Sequence, residues 1–245
     1  MVEHQYLKKL SFLLITLLLI GCAPGISPEV DEELENMTVP AIVSVPRIRF
    51  LALGDSYTIG HNVSENDRWP EQLAVELREM DIEAEIEIVA RTGWTTTNLL
   101  ANLSANSPQG HFDIVSLLIG VNDQYQYGEP EEYRVKFREA LEIAIRYAGG
   151  DPENVIVISI PDWEVTPYAE KSARPFNEYS INKFNEVISQ EARNYGARYV
   201  NITPISRLVV TDESLLAADG LHPSGEMYAM WVKEMLPQVL AVIEK

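Results

Sequence analysis

Cysteine is almost absent: Cys22 is the only one in 245 residues. A lone cysteine forms no internal disulfide, so the fold must hold by packing whatever compartment it occupies. Histidine is nearly as scarce, with four in the chain. Chemistry that needs an imidazole therefore has few places to find one. Basic residues are also short: 19 Lys and Arg stand against 37 Asp and Glu, a formal charge of −18. A surface that acidic repels phosphate backbones and argues against nucleic acid as a partner. It disfavours polyanionic substrates more weakly, without excluding them. A membrane-spanning run is lacking near the N-terminus, where Leu10 to Ile20 (LSFLLITLLLI) extends only eleven residues. No spacing of His, Cys and Asp suggests a metal site.

What is present suits a globular domain, with 46% hydrophobic and 23% charged residues. The eleven-residue run follows Lys8 and Lys9 and has the form of a signal-peptide core. It ends in Leu19-Ile20-Gly21-Cys22, which resembles the lipobox of bacterial lipoproteins. That resemblance implies cleavage before Cys22 and acylation of its thiol. Two or more acyl chains make a stable membrane anchor, whereas one is marginal. Prolines at 24, 28, 40 and 46 and five acidic residues between Glu29 and Glu35 read as a solvated tether. The expected organisation is a signal peptide over 1–21, a lipid-anchored tether over 22–46 and one domain over 47–245. The anchor would place that domain outside the cytoplasm, in the periplasm or at the cell surface.

From Arg47 onward, apolar runs of strand length alternate with amphipathic stretches. Strands are expected over 48–53 (IRFLAL), 84–90 (AEIEIVA), 112–119 (FDIVSLLI), 154–160 (NVIVISI) and 197–202 (ARYVNI). Three are nearly continuous in Val, Ile and Leu, as strands covered on both faces should be. The run over 84–90 alternates, which suggests an edge strand with one wetter face. Helices are expected from Pro70 to about Met80, from Pro130 to Tyr147, from Asn177 to Tyr195 and from Gly225 to Ile243. Alternating strands and helices imply a parallel sheet wound on both sides, with ligands at the carboxyl ends of the strands.

The residues just after the strands carry the chemistry. Gly54-Asp55-Ser56 follows the first strand. The loop after the second holds Gly93, and Gly120-Val121-Asn122-Asp123 follows the third. Asp219-Gly220-Leu221-His222 precedes the last helix. A serine hydroxyl is a weak nucleophile and needs a base, for which histidine suits. A carboxylate on the other ring nitrogen fixes the tautomer, and Asp219 stands one turn of backbone from His222. The backbone N–H groups of Ser56 and Gly93 and the side-chain amide of Asn122 are candidate donors to a tetrahedral oxyanion. Each residue also has a plainer reading. Serine in a Gly/Asp-rich turn is common, Asn122 can hold a turn with Asp123, and glycines before helices prove little.

Taken in order, GDS, an isolated Gly, GxND and DxxH resemble the blocks of the SGNH, or GDSL-type, hydrolase family. The resemblance covers about Ile48 to Ile243. It implies a flavodoxin-like three-layer α/β/α fold with a five-stranded parallel sheet. It also implies a Ser56, Asp219, His222 triad, with Ser56, Gly93 and Asn122 as oxyanion donors. Family members are esterases, lipases, thioesterases and carbohydrate deacetylases that use no metal or organic cofactor. Where the family motif has Leu, this chain has Tyr57, which puts the substrate-side contacts in question. Asp55 and Asp123 are expected to support their loops. His61 and Tyr57 are expected near the rim of the site. Trp163 and Tyr168 stand between substrate contact and packing, as do Trp69 and Trp94. His111, before the third strand, is expected on the opposite edge of the sheet. The implied substrate is a small ester or an acylated carbohydrate. A lysophospholipase, lipase or thioesterase is the alternative within the family, and a non-catalytic binding lipoprotein the alternative outside it.

Overall fold

The computed structural model describes residues 47–126, 128–172 and 180–245. The signal, lipidation and tether expectations, Cys22 included, lie outside the described residues. Strand β1 (Arg47–Gly54) is buried almost end to end because neighbours flank it on both sides. Phe50 to Gly54 stand opposite Ile86 to Ala90 of β2 (Glu83–Ala90) and Ile114 to Leu118 of β3 (Ile114–Leu118). The sheet continues through β4 (Val155–Ile158) to β5 (Arg198–Val200). All neighbours run parallel, in the order β2-β1-β3-β4-β5.

The alternating strand is indeed at an edge. Its outward glutamates meet arginines of β1, Arg47 with Glu85 at 3.1 Å and Arg49 with Glu87 at 4.0 Å. Strands β3, β4 and β5 are shorter than their apolar runs, since the backbone leaves the ladder while its side chains stay buried. Ile119 and Ile160, for example, lie past the ends of β3 and β4 yet are fully buried.

Helices cover both faces of the sheet. On one, α2 (Trp69–Glu79) packs on α9 (Gly225–Ile243). On the other lie α3 (Thr96–Ala105), α5 (Pro130–Tyr147) and α7 (Ile181–Tyr195). The expected start of α7 at Asn177 lies outside the described residues. Leu51, Leu53, Leu117, Trp69, Phe137 and Phe184 are sealed between these layers. Burying each such side chain contributes roughly 1.5–3 kcal/mol, so the strand ends are held on a rigid frame. Among the described residues, no helix is long and apolar enough to cross a membrane.

Strands β1 and β3 are neighbours, but the chain passes from β1 to β2 on one side and reaches β4 on the other. That reversal opens a crevice at their carboxyl ends, where ligands bind in sheets of this kind.

Candidate active site

Glycine opens the first loop because no side chain fits there. A Cβ on Gly54 would stand 2.1 Å from Thr58 Oγ1 and 2.7 Å from the Leu118 carbonyl oxygen. With β1 pressed that close to β3, the chain turns at once into the short helix α1 (Ser56–Ile59). Asp55 caps it, its carboxyl accepting the Tyr57 N–H at 3.0 Å. Burial pushes the Asp55 carboxyl up to about 8, and the charge of Asp123 adds to the rise against the hydrogen bond from Tyr57. Asp55 thus ties the end of β1 to the first turn of α1.

Asp123 supports the next loop. It lies in α4 (Val121–Tyr125), which begins directly after β3 and Gly120. One oxygen of Asp123 accepts both the backbone N–H of Thr96 at 2.8 Å and its hydroxyl at 3.0 Å. The start of α3, and with it the Gly93 loop, is thereby tied to the end of β3. Gly93 itself adopts φ +81, a left-handed conformation that favours glycine.

These loops bring Ser56, Gly93, Asn122 and His222 to the wall of one cavity of about 160 Å³. Tyr57, Trp163, Tyr125 and Tyr168 line it as well. Asp219 stands behind His222, its Oδ2 2.6 Å from His222 Nδ1. Its other oxygen accepts the backbone N–H groups of Leu221 and His222, each at 3.0 Å. Burial opposes ionisation of Asp219, but the His222 ring and these two N–H groups outweigh it and hold the carboxyl down at about 2. An ionised Asp219 keeps the ring proton on Nδ1 and leaves Nε2 free to act as a base. His222 is 6% exposed. Burial lowers its pKa, Asp219 opposes that, and His61 adds to the lowering. Asn122 donates to the Trp94 carbonyl at 2.9 Å and makes a longer contact of 3.4 Å to Asp55 Oδ2.

Several rim expectations change. Tyr57 is 3% exposed and lies beneath His222, ring centroids 5.1 Å apart, with Trp231 stacked at 6.4 Å on its other side. It forms the floor of the cavity and supports the imidazole rather than standing at the rim. His61 is absent from the cavity wall but packs edge-on to His222 at 4.7 Å, and its Nδ1 meets Thr92 Oγ1 at 3.1 Å. Trp163 both packs and lines the cavity, with its indole N–H donating to Gln124 at 2.8 Å. Trp69 is core, whereas Trp94 is half-buried and offers its carbonyl to Asn122. His111 lies opposite the cavity, at the amino ends of β1 and β3, where its carbonyl accepts from Arg49 at 2.7 Å.

Contrary to the reading of the spacing, three groups able to hold a metal do converge. Nitrogen and oxygen atoms of His61, Asp219 and His222 lie within 4.8 Å of one another. A metal there would have to break the bond between Asp219 and His222, so the trio fits a hydrogen-bonded pair better than a ligand set. Sequence spacing missed Tyr125 and Asn62, while Tyr168, read as either substrate contact or packing, lines the cavity. The hydroxyls of Tyr125 and Tyr168, both on the cavity wall, meet at 3.0 Å, Tyr168 coming from α6 (Pro167–Lys171). Asn62 reaches Asp219 over 157 positions of chain, with no local signal to mark it.

Residues 52–230 match the model of the GDSL-like lipase/acylhydrolase family. A search of curated protein sequences found no match. Among solved structures, a psychrotrophic esterase from Pseudoalteromonas sp., inhibited by monoethylphosphonate, is similar at 16% identity and a TM-score of 0.63. That alignment covers 81% of this chain and 100% of the esterase. A variant of an acetyl xylan esterase from Geobacillus stearothermophilus aligns at 17% identity and a TM-score of 0.62, over 78% of this chain and 94% of its own. A lipolytic G-D-S-L family protein from Veillonella parvula aligns at 14% identity and a TM-score of 0.59, over 77% and 96%. At such identities these structures speak for the fold, while the family model spans most of the chain. The protein belongs to the GDSL-like lipase/acylhydrolase family, a family of ester hydrolases.

Proposed function

We propose that the protein hydrolyses carboxylic esters of short acyl groups, O-acetylated carbohydrates among them, through a Ser56, His222, Asp219 triad. The observation that carries this reading is the shared cavity wall of Ser56 and His222, with Asp219 2.6 Å behind the imidazole. Ser56 Oγ attacks the ester carbonyl carbon while His222 Nε2 takes its proton. The tetrahedral oxyanion is received by the N–H groups of Ser56 and Gly93 and by Asn122, which gives up its long contact to Asp55. The intermediate collapses, the alkoxy oxygen leaves with the proton from His222, and an acyl-enzyme remains. Water, deprotonated by His222, then releases the carboxylic acid and restores Ser56. Asp219 holds the ring and stabilises the imidazolium in both halves.

Size favours a small acyl group over the lipase, lysophospholipase or thioesterase alternatives. The cavity of about 160 Å³ compares with roughly 300–1,000 Å³ for pockets that take drug-sized ligands. The acetyl xylan esterase of the same fold is compatible with an acetylated sugar as substrate. We further propose that Cys22 carries a lipid anchor and that residues 22–46 tether the domain outside the cytoplasm. Hydrolysis of p-nitrophenyl esters by wild type and Ser56→Ala tests the mechanism. Loss of at least about a thousandfold in kcat/KM is expected, and equal rates would refute it. Mass spectrometry of the mature N-terminus tests the anchor, and an unmodified cysteine or cleavage elsewhere would overturn it.

A further inference from the structure

The loop after α1 contains one of two non-glycine residues among those described with a left-handed backbone. Asn62 has φ +65, two residues after Gly60 at φ +75. Asparagine tolerates that conformation better than most residues, but it is not free of cost. Just before Asn62, left-handed Gly60 caps α1, and the N–H groups of Gly60 and His61 donate to the Ser56 carbonyl at 3.2 and 3.0 Å, so the loop starts beside the nucleophile. The Asn62 side chain reaches across the site, where Nδ2 donates to Asp219 Oδ2 at 2.5 Å. A carboxylate only accepts, so the orientation of the amide is settled by its partner. That oxygen is the same one that faces His222 Nδ1.

The geometry points to Asn62 as a positioning residue for the Asp219–His222 pair. With it, Asp219 accepts four hydrogen bonds: two backbone N–H groups on one oxygen, and the imidazole and the Asn62 amide on the other. The carboxylate is flanked by solvent on one side, and the backbone of its own turn fixes only Oδ1. Asn62 supplies the remaining constraint, clamping Oδ2 in line with the ring. Because the same loop is bonded to the Ser56 carbonyl, it couples the position of the nucleophile to that of the carboxylate. This inference rests on the triad reading above. The other titratable groups near the pair are His61 on the same loop, Tyr57 on α1 beneath the ring, Tyr228 on α9 and the buried Asp55.

The test uses two variants of the full chain, with Ser56→Ala as reference. Asn62→Gly accepts the left-handed backbone without strain and removes only the amide. Its kcat on p-nitrophenyl acetate should fall about tenfold with KM unchanged, the worth of one hydrogen bond to a charged group. Asn62→Asp keeps the side-chain shape and sets a second negative charge beside Asp219. The imidazolium is then favoured, and the acid limb of kcat/KM should move to higher pH than in wild type or Asn62→Gly. Thermal melting confirms that each variant is folded. Wild-type kcat in Asn62→Gly, or an acid limb unmoved in Asn62→Asp, would overturn the inference. If Ser56→Ala keeps activity, the triad reading itself falls; if it is dead while both Asn62 variants behave as wild type, only the role of Asn62 falls.

Discussion

Replacing Tyr168 by alanine should lengthen the acyl chain that the enzyme accepts. Tyr168 and Tyr125 close one side of the cavity by the 3.0 Å contact of their hydroxyls, and Tyr125 is braced by Trp163 with ring centroids 5.0 Å apart. The cavity of about 160 Å³ is open to solvent on one side. An acetyl or propionyl group is taken up within it, whereas an octanoyl chain would extend past its wall. Removing the phenol ring of Tyr168 opens room for roughly three further methylenes, each worth about 0.8 kcal/mol when buried. The sum, about 2.4 kcal/mol, corresponds to about 50-fold, and partial collapse of the wall reduces it to somewhere above about tenfold. The assay is the ratio of kcat/KM for p-nitrophenyl octanoate to that for p-nitrophenyl acetate. Tyr168→Ala should raise this ratio by at least about tenfold over wild type, with a melting temperature showing an intact fold. A ratio within about twofold of wild type would refute the view that these tyrosines bound the acyl site.

Other expectations concern stability. The Asp55 carboxyl sits at about 8 in the folded chain against an ordinary value of 3.8. A raised carboxyl stabilises the fold fully below the ordinary value, and that contribution is lost as pH climbs from there towards about 8. Asp55→Asn keeps an oxygen for the Tyr57 N–H and does not titrate. Its melting temperature relative to wild type should therefore rise between pH 5 and pH 8, and a constant difference would contradict the burial argument. Glu191 is 1% exposed and joins α7 to α5 through Arg134 at 2.6 Å and Arg138 at 2.7 Å. Glu191→Ala removes both pairs, but Arg134 keeps Glu131 at 2.9 Å and Arg138 is partly in solvent, so the cost in urea unfolding should be about 2 kcal/mol. A loss below about 1 kcal/mol would show that water already screens the pair.

The sheet was legible because strands buried on both faces need nearly continuous Val, Ile and Leu, and the edge strand betrayed itself by its alternating glutamates. Helix α5 could be bounded at both ends by Pro130 and by Gly149-Gly150, since one residue favours the first turn and the other ends it. The cavity lining was legible where a candidate residue sits directly after a strand, as for Ser56 and Asn122. Burial of single side chains was not. Tyr57 follows the nucleophile and reads as a rim residue, but a four-residue helix turns its ring inward onto Trp231. His111 was legible too, since a residue just before a strand stands at the amino ends of the sheet, opposite the site. Asn62 joins the site through a tertiary contact made by a distant loop, which no spacing rule records.

The most direct test of the central claim is covalent labelling with a fluorophosphonate, followed by peptide mapping. A serine activated by His222 and Asp219 should form one stoichiometric adduct on Ser56, and the adduct should vanish in Ser56→Ala and nearly vanish in His222→Ala. No adduct on wild type, or an adduct that persists on another residue in Ser56→Ala, would contradict it.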